Sequence, residues 1–237
     1  TTAPAQAAPA QPVAAQPVTV VDRAKKHIEE GNRSLILCNN KLSDDDIRKI
    51  APSIKMSETL HSLSLFDSGL TPSATRTLCA ALASQDSLTM LDLGHNQLGH
   101  EGVEAVCDAV IHNSRILTLG LANVGMGNEG ARVMADVVRL NCTITELYLN
   151  SNGIQMEGAT ELADALIFNN RSQIACLYMF GNDMGDGVSE LQNLLQEAPE
   201  AKESVPLCTD KVLAFLMGTH PKLGAASQVY NLRMGGG

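Results

Sequence analysis

Apolar residues recur along the chain in a pattern that repeats every 28 residues. The first leucines of successive Leu-x-Leu pairs are Leu35, Leu63, Leu91, Leu119 and Leu147. A sixth pair, Leu177 with Met179, follows after 30 residues. Because alternate side chains of a strand face the same side, each pair predicts a short strand with one buried face. Repetition at this period predicts a chain built from stacked copies of one unit.

A polar column follows the strands, five residues after the first leucine of each pair. It consists of Asn40, Ser68, Asn96, Val124, Asn152 and Asn182. An asparagine amide both donates and accepts, so it can satisfy backbone groups that the turn off the strand would leave without partners. Ser68, Val124 and the sixth repeat, which loses a residue before its helix, depart from the pattern. We expect the stack to be less regular there.

The second half of each unit has apolar residues three and four apart, which predicts a helix with one buried stripe. The spacing is clearest in 103–110 and 159–166. Gly102, Gly130 and Gly158 share one column at the helix start. Glycine at this position permits a close approach of the neighbouring repeat or an unusual backbone angle.

These units resemble the ribonuclease-inhibitor class of leucine-rich repeats. The best match is Leu-x-x-Leu-x-Leu-x-x-Asn-x-Leu, followed by Glu101-Gly102-Val103 and a Val-Cys-x-Ala-Val helix. The resemblance covers about residues 32–196, and we place the solenoid domain at 32–200. It implies an α/β fold, a curved stack of six repeats with parallel strands on the concave face and helices on the convex face.

Two segments lie outside the repeat register. Residues 1–20, with seven Ala, four Pro and no charge, predict an extended or disordered arm that serves as a flexible linker or lies along a partner. Residues 21–31 predict an N-terminal capping helix, with Asp22 as N-cap and Gly31 just past its end. Residues 201–237 predict a short apolar helix, either a C-terminal cap or a partner-docking helix, and a loose tail.

Charge is distributed unevenly along the chain. The formal net charge is −9, and residues 56–200 hold 18 acidic but only 5 basic side chains. Eight of the 17 Lys and Arg lie between Arg23 and Lys55. An acidic body argues against nucleic acid and anionic membrane surfaces as partners. No apolar run approaches the roughly 18 residues that a membrane span needs.

Motifs for catalysis or ligand binding are absent from the sequence. It has no Cys-x-x-Cys, Gly-rich phosphate loop, nucleophile elbow or paired catalytic carboxylates, so we expect no enzyme, no metal, no cofactor and no small-molecule substrate. Cys79 and Cys107 share a helix column with alanines in other repeats, which predicts core packing. We expect the six cysteines to be reduced thiols in an intracellular compartment.

The concave face is where the scarce aromatic residues concentrate. Four of the seven in the chain flank the buried strand leucines. Exposed aromatics typically anchor protein interfaces, although aromatic residues also suit strands for structural reasons. The residues predicted to bind a partner are Phe66, Asp92, His95, Tyr148, Asn150, Tyr178 and Phe180.

The predicted function is a non-enzymatic protein–protein interaction scaffold. We expect an accessory subunit of a large multiprotein assembly that binds through the concave face and the terminal arms. One alternative is a regulatory binder of a single enzyme, either an inhibitor or a GTPase-activating protein. That activator class carries a long acidic tail and a functional arginine in a repeat loop, and this sequence has no acidic tail. A third reading is an enzyme with an unrecognised site.

The expected location is a reducing compartment inside the cell. The chain does not begin with Met, which favours the interior of a mitochondrion or plastid after removal of a presequence. The cytosol and the cilium are alternatives. The same observation leaves open that the chain is a fragment of a larger receptor.

Overall fold

Six short strands and six helices alternate along the part of the chain that the computed structural model describes, residues 18–169 and 171–185. The helices are α1 (Val20–Glu29), α2 (Asp44–Met56), α3 (Pro72–Leu82), α4 (Gly99–Val110), α5 (Gly127–Leu140) and α6 (Met156–Phe168). The strands are β1 (Ser34–Ile36), β2 (Ser62–Ser64), β3 (Met90–Asp92), β4 (Thr118–Gly120), β5 (Glu146–Tyr148) and β6 (Cys176–Tyr178).

All six strands form one parallel sheet in chain order. Leu35 pairs with Leu63, and each later leucine pairs with its counterpart in the next repeat. The helices pack against one another in the same order. Because a helix is about 10 Å wide and adjacent strands lie about 4.8 Å apart, the sheet forms the concave side. The predicted α/β leucine-rich repeat solenoid is confirmed.

The core lies between the sheet and the helices as one continuous cluster. Leu63, Leu91, Leu119 and Leu147 are fully buried. Burial of a leucine side chain stabilises the fold by roughly 1.5–3 kcal/mol. The stacked leucine columns therefore supply most of the driving force that holds one repeat on the next.

The N-terminal helix covers the first repeat, but it begins earlier than predicted. Thr19, and not Asp22, is the N-cap, because Thr19 and Asp22 form a capping box. The Asp22 N–H donates to Thr19 Oγ1 at 3.1 Å, and the Asp22 carboxylate accepts from the Thr19 N–H at 3.1 Å. The hydrogen bond from the Thr19 hydroxyl lowers the pKa of Asp22. Gly31, at φ +77°, ends the helix as predicted.

Asparagine side chains join successive repeats behind the strands. Asn96 Oδ1 accepts from the N–H groups of Ser68 and Leu70 at 3.0 and 2.9 Å. Its Nδ2 donates to the carbonyls of Leu65 and Leu93 at 2.8 and 2.9 Å. Asn152 and Asn182 make equivalent bonds two and three repeats further on. Each asparagine therefore holds the turn of the preceding repeat, as the column predicts.

Val124 interrupts this asparagine column without disturbing the sheet. Its side chain is buried and cannot form the hydrogen bonds with which an asparagine at this position would link the fourth repeat to the third. The register of β3 with β4 nevertheless matches that of the other pairs. The expectation of lower regularity at Val124 is therefore wrong for the strands, because leucine burial and backbone pairing set the register there.

A second column of polar side chains caps the helix ends, and the sequence analysis did not single it out. In four successive repeats the side-chain oxygen accepts from backbone N–H groups two or three residues ahead. The column consists of Gln85, Asn113, Asn141 and Asn169. Asn141 also donates to the carbonyls of Val110 and Asn113 in the preceding repeat. At Asn141 and Asn169, side-chain hydrogen bonds therefore link successive repeats at the ends of the helices as well.

Several predicted segments lie outside the described residues. They are most of the arm at 1–20, the helix of the sixth repeat, and the cap and tail at 201–237. Within residues 18–169 and 171–185, no helix is long and apolar enough to span a membrane.

Replacing Asn96 with alanine removes three inter-repeat hydrogen bonds and the bond to Leu93 of its own repeat, and it leaves buried backbone groups without partners. We expect Asn96→Ala to lower the free energy of unfolding by about 3 kcal/mol, measured by urea denaturation. The neighbouring Gln97 is exposed, so Gln97→Ala should stay within about 0.5 kcal/mol of the parent chain. Equal effects of the two changes would contradict the role of the asparagine column.

Gly158 lies where α6 approaches α5, and its substitution tests this close approach. A Cβ at this position would lie 2.9 Å from the Ala131 Cβ and 2.9 Å from Asn128 Oδ1. Alanine normally stabilises a helix interior by roughly 0.5–1 kcal/mol relative to glycine. We expect Gly158→Ala to lower the thermal midpoint instead, whereas exposed Asp164→Ala on the same helix should not. A higher midpoint for Gly158→Ala would show that the helices can separate at little cost.

Candidate protein-binding face

Three columns of side chains face away from the helices and form the concave face. Relative to the first leucine of each pair, the first column lies one residue before, the second one residue after and the third three residues after. The columns are Ser34, Ser62, Met90, Thr118, Glu146 and Cys176; Ile36, Ser64, Asp92, Gly120, Tyr148 and Tyr178; and Cys38, Phe66, Gly94, Ala122, Asn150 and Phe180. Parallel pairing brings each column into line across the sheet, so residues distant in sequence become neighbours.

An apolar cluster lies on this face, separate from the main core. Its members, hereafter the aromatic cluster, are Phe66, Met90, Ala122, Tyr148 and Tyr178. The rings of Tyr148 and Tyr178 stack face to face, with centroids 4.2 Å apart and planes 3° from parallel. The stacking follows from the pairing of Tyr148 with Tyr178 in adjacent strands.

The two tyrosines are held in the neutral form. Burial raises the pKa of Tyr178 to about 12, and burial also raises the pKa of Tyr148. The Tyr148 hydroxyl donates to Glu146 Oε2 at 3.0 Å, and the nearby carboxylate raises the pKa of Tyr148 further. The cluster therefore combines apolar ring surface with one fixed carboxylate.

Asp92 lies under the aromatic cluster and not on its surface. It is fully buried, accepts from the Ser64 hydroxyl at 3.1 Å and accepts from the Gly94 N–H at 3.0 Å. A Cβ at Gly94 would come within 3.2 Å of the Phe66 ring, so the missing side chain makes room for that ring. The prediction of Asp92 as a surface contact is wrong in this structure, since Asp92 supports the face from below.

Asn150 contributes a buried polar atom to the same region. Its side chain is 4% exposed, and Oδ1 has no hydrogen-bond partner. By its register, Asn150 lies beside Tyr148 of its own strand and between Ala122 and Phe180 of the neighbouring repeats. Most buried polar atoms in folded proteins have a partner, so Asn150 Oδ1 is an exception among the described residues.

The other five predicted residues differ in how exposed their side chains are. Phe66, Tyr178 and Phe180 are half-buried, and Tyr148 is only 7% exposed. The sequence analysis predicted exposed aromatics, which is wrong for Tyr148, because rings in adjacent strands cover one another. His95 is exposed, at φ +57°, and its ring lies 4.5 Å from that of Phe66. The structure thus brings all seven predicted residues to one face.

Sequence reasoning missed two members of this region and one exposed patch. Met90 and Glu146 belong to the column that precedes the strand leucine, which could have been read by the same 28-residue spacing. Leu140 and Phe168 end successive helices and are 55% and 71% exposed. The guanidinium of Arg139 lies 6.0 Å from the centre of the Phe168 ring.

Two of the cysteines, Cys79 and Cys107, pack in the core as their helix column predicts. Cys79 and Cys107 are buried, and burial raises the pKa of Cys79 to about 12 and raises that of Cys107 as well. The cysteines within 18–169 and 171–185 are free thiols. In that part of the chain no group of three His, Cys, Asp or Glu side chains could hold a metal ion.

Comparison with known proteins identifies the repeat and its fold. Residues 86–107 and 140–163 match the family model of the leucine-rich repeat. The solved structure of leiomodin-1 actin-binding site 2 is 13% identical, with a TM-score of 0.53, and the match covers 64% of this chain and 90% of that one. The tropomodulin C-terminal domain of Caenorhabditis elegans is 19% identical, with a TM-score of 0.52, covering 64% and 93%. At these identities the likeness shows the fold alone. No curated protein sequence matches the chain.

The raised pKa values of the stacked tyrosines predict a loss of stability at high pH. An unfolded tyrosine ionises near pH 10, whereas Tyr178 ionises at about 12 in the folded chain. The unfolded chain therefore loses its protons first, so the free energy of unfolding should fall as the pH rises from about 10 to 12. Urea denaturation across this range checks the trend, and Tyr178→Phe should flatten it. Tyrosinate absorbance that rises in a single step near pH 10 in the folded chain would contradict this arrangement.

Proposed function

Since the chain is a leucine-rich repeat protein, we propose that it is a non-enzymatic interaction scaffold, an accessory subunit of a multiprotein assembly, that holds its partner on the concave face. The aromatic cluster is the observation that carries this proposal. Two stacked tyrosines, a phenylalanine and a methionine lie outside the main core, on a face that no described helix covers. Aromatic side chains of this kind contribute most of the binding energy in protein interfaces.

The size of the face suits a folded partner or a long segment. Six strands at about 4.8 Å spacing give an inner face roughly 25–30 Å long. The aromatic cluster extends from Phe66 in the second repeat to Tyr178 in the sixth. A partner that contacts the whole cluster therefore reaches over five repeats, which favours a lasting complex over a brief encounter.

A regulatory role on a GTPase has less support. That role would need an arginine held ready in a repeat loop. Arg115 and Arg171 lie in the loops before β4 and β6, whereas Arg76, Arg132 and Arg139 lie on helices. Arg76 pairs with Glu101 at 2.7 Å, and Arg132 pairs with Glu157 at 2.8 Å. Arg139 pairs with Asp136 within its own helix. Arg76, Arg132 and Arg139 therefore form ion pairs on the convex, helical surface of the solenoid.

The buried free thiols support a reducing compartment as the place of action. Cys79 and Cys107 occupy positions filled by buried alanines in other repeats, so their role is packing. We propose an intracellular location on this ground, with an organelle interior, the cytosol or a cilium as the possibilities. Fractionation of cells that express the tagged chain distinguishes them.

Affinity purification of the full chain from its own cells, with cross-linking mass spectrometry, tests the proposed function. We expect partner proteins at fixed stoichiometry, with cross-links that place them against the sheet. Actin belongs among the proteins examined, because leiomodin-1 matches this fold through its actin-binding site 2. Purification of the chain under gentle conditions as a monomer without partner proteins would contradict the proposed function.

Matched variants locate the binding face. Tyr178→Glu puts a charge into the aromatic cluster and should reduce partner recovery at least tenfold. Phe168→Glu makes the same change at a ring that is 71% exposed at the end of α6, and should leave recovery unchanged. Circular dichroism confirms that both variants fold. Loss of the partner with Phe168→Glu, but not with Tyr178→Glu, would move the interface to the helix ends.

A further inference from the structure

We propose that the concave face recognises its partner through a cationic side chain, lysine or arginine, whose charged end docks beside Glu146 against the tyrosine rings. The inference rests on the proposed function and names the chemistry of the partner. Two features of the described residues support it: the charge at the tyrosine pair and the type of the apolar surface around it.

The concave face carries a carboxylate beside the tyrosines and no lysine or arginine. Glu146 is the acidic side chain of its three columns that is not fully buried, since Asp92 lies beneath the surface. The basic residues Arg33 and Lys41 lie near the first strand, far along the sheet from the tyrosines of β5 and β6. A cation approaching the tyrosines therefore meets attraction, and a carboxylate or phosphate meets repulsion.

Aromatic rings make up the apolar surface around this charge. The faces of Tyr and Phe rings carry partial negative charge, which attracts ammonium and guanidinium groups within about 6 Å. Glu146 is half-buried and accepts from the Tyr148 hydroxyl, so its carboxylate is fixed at the margin of the stacked pair. The aliphatic stem of a lysine or arginine can lie along the rings while its charged end reaches the carboxylate.

The docking of a cation also agrees with the state of the tyrosines. Burial and the Glu146 carboxylate favour protonated Tyr148, and the stacked rings are neutral at physiological pH. The face therefore presents one fixed negative charge, on Glu146, and two neutral rings. A single positive charge on the partner balances that carboxylate. Residues from three successive repeats, Ala122, Glu146 and Tyr178, contribute to this position.

Binding of n-butylammonium to the full chain, with n-butanol as the uncharged control, tests the inference by nuclear magnetic resonance of labelled Tyr side chains. We expect n-butylammonium to shift the Tyr148 and Tyr178 signals saturably at millimolar concentration, and n-butanol to shift them at least threefold less. Glu146→Gln should weaken n-butylammonium binding about threefold or more. Asp164→Asn, an exposed change on α6, should leave it unaltered.

Equal shifts with the amine and the alcohol, or no saturable shift with either, would overturn the inference. If Tyr178→Glu abolishes partner recovery while n-butylammonium does not bind, the cationic anchor fails and the scaffold function stands. If n-butylammonium binds but no partner co-purifies, the scaffold function fails.

Discussion

Parallel pairing of each strand with the next, one repeat further along the chain, is the constraint on which the rest of this structure depends. It places Leu63 beside Leu91 and Leu119 in the core and, by the same geometry, Tyr148 beside Tyr178 on the opposite face. A residue therefore has two sets of neighbours, those in its own repeat and those 28 positions away. Packing, capping and the binding face all follow from this second set.

The repeat fold was predictable from the sequence because its determinants are periodic. The leucine pairs, the asparagine column and the helical glycines each appear in several repeats, so a single departure such as Val124 does not hide the pattern. The start of α1 was predicted wrongly because capping is local: Asp22 and Thr19 both suit an N-cap, and only the reciprocal hydrogen bonds of the capping box decide between them. The polar column at the helix ends was missed because Gln85 and three asparagines share a role without sharing one residue type.

The sequence predicts which residues lie on the concave face, but not how exposed each of their side chains is. Alternation along each strand is enough to place Phe66, Tyr148 and Asn150 on the concave side. Burial on that side depends on how large side chains in neighbouring repeats cover small ones, as the Phe66 ring does over Gly94 and Asp92. That covering depends on side-chain rotamers, which a one-dimensional pattern does not specify. For the same reason the unpartnered oxygen of Asn150 could be found only in three dimensions.

The missing asparagine at Val124 leaves the third and fourth repeats without an asparagine link behind the strands. Asn96 ties the third repeat to the second, and Asn152 and Asn182 tie the last three together, whereas Asn141 joins the third and fourth repeats at the helix ends. In a linear array each unit is stabilised by its neighbours, so the strand side of this joint depends more heavily on leucine burial and backbone pairing. The aromatic cluster crosses the same joint, with Phe66 and Met90 on one side and Ala122, Tyr148 and Tyr178 on the other. A partner bound to the cluster would therefore also hold the third and fourth repeats together.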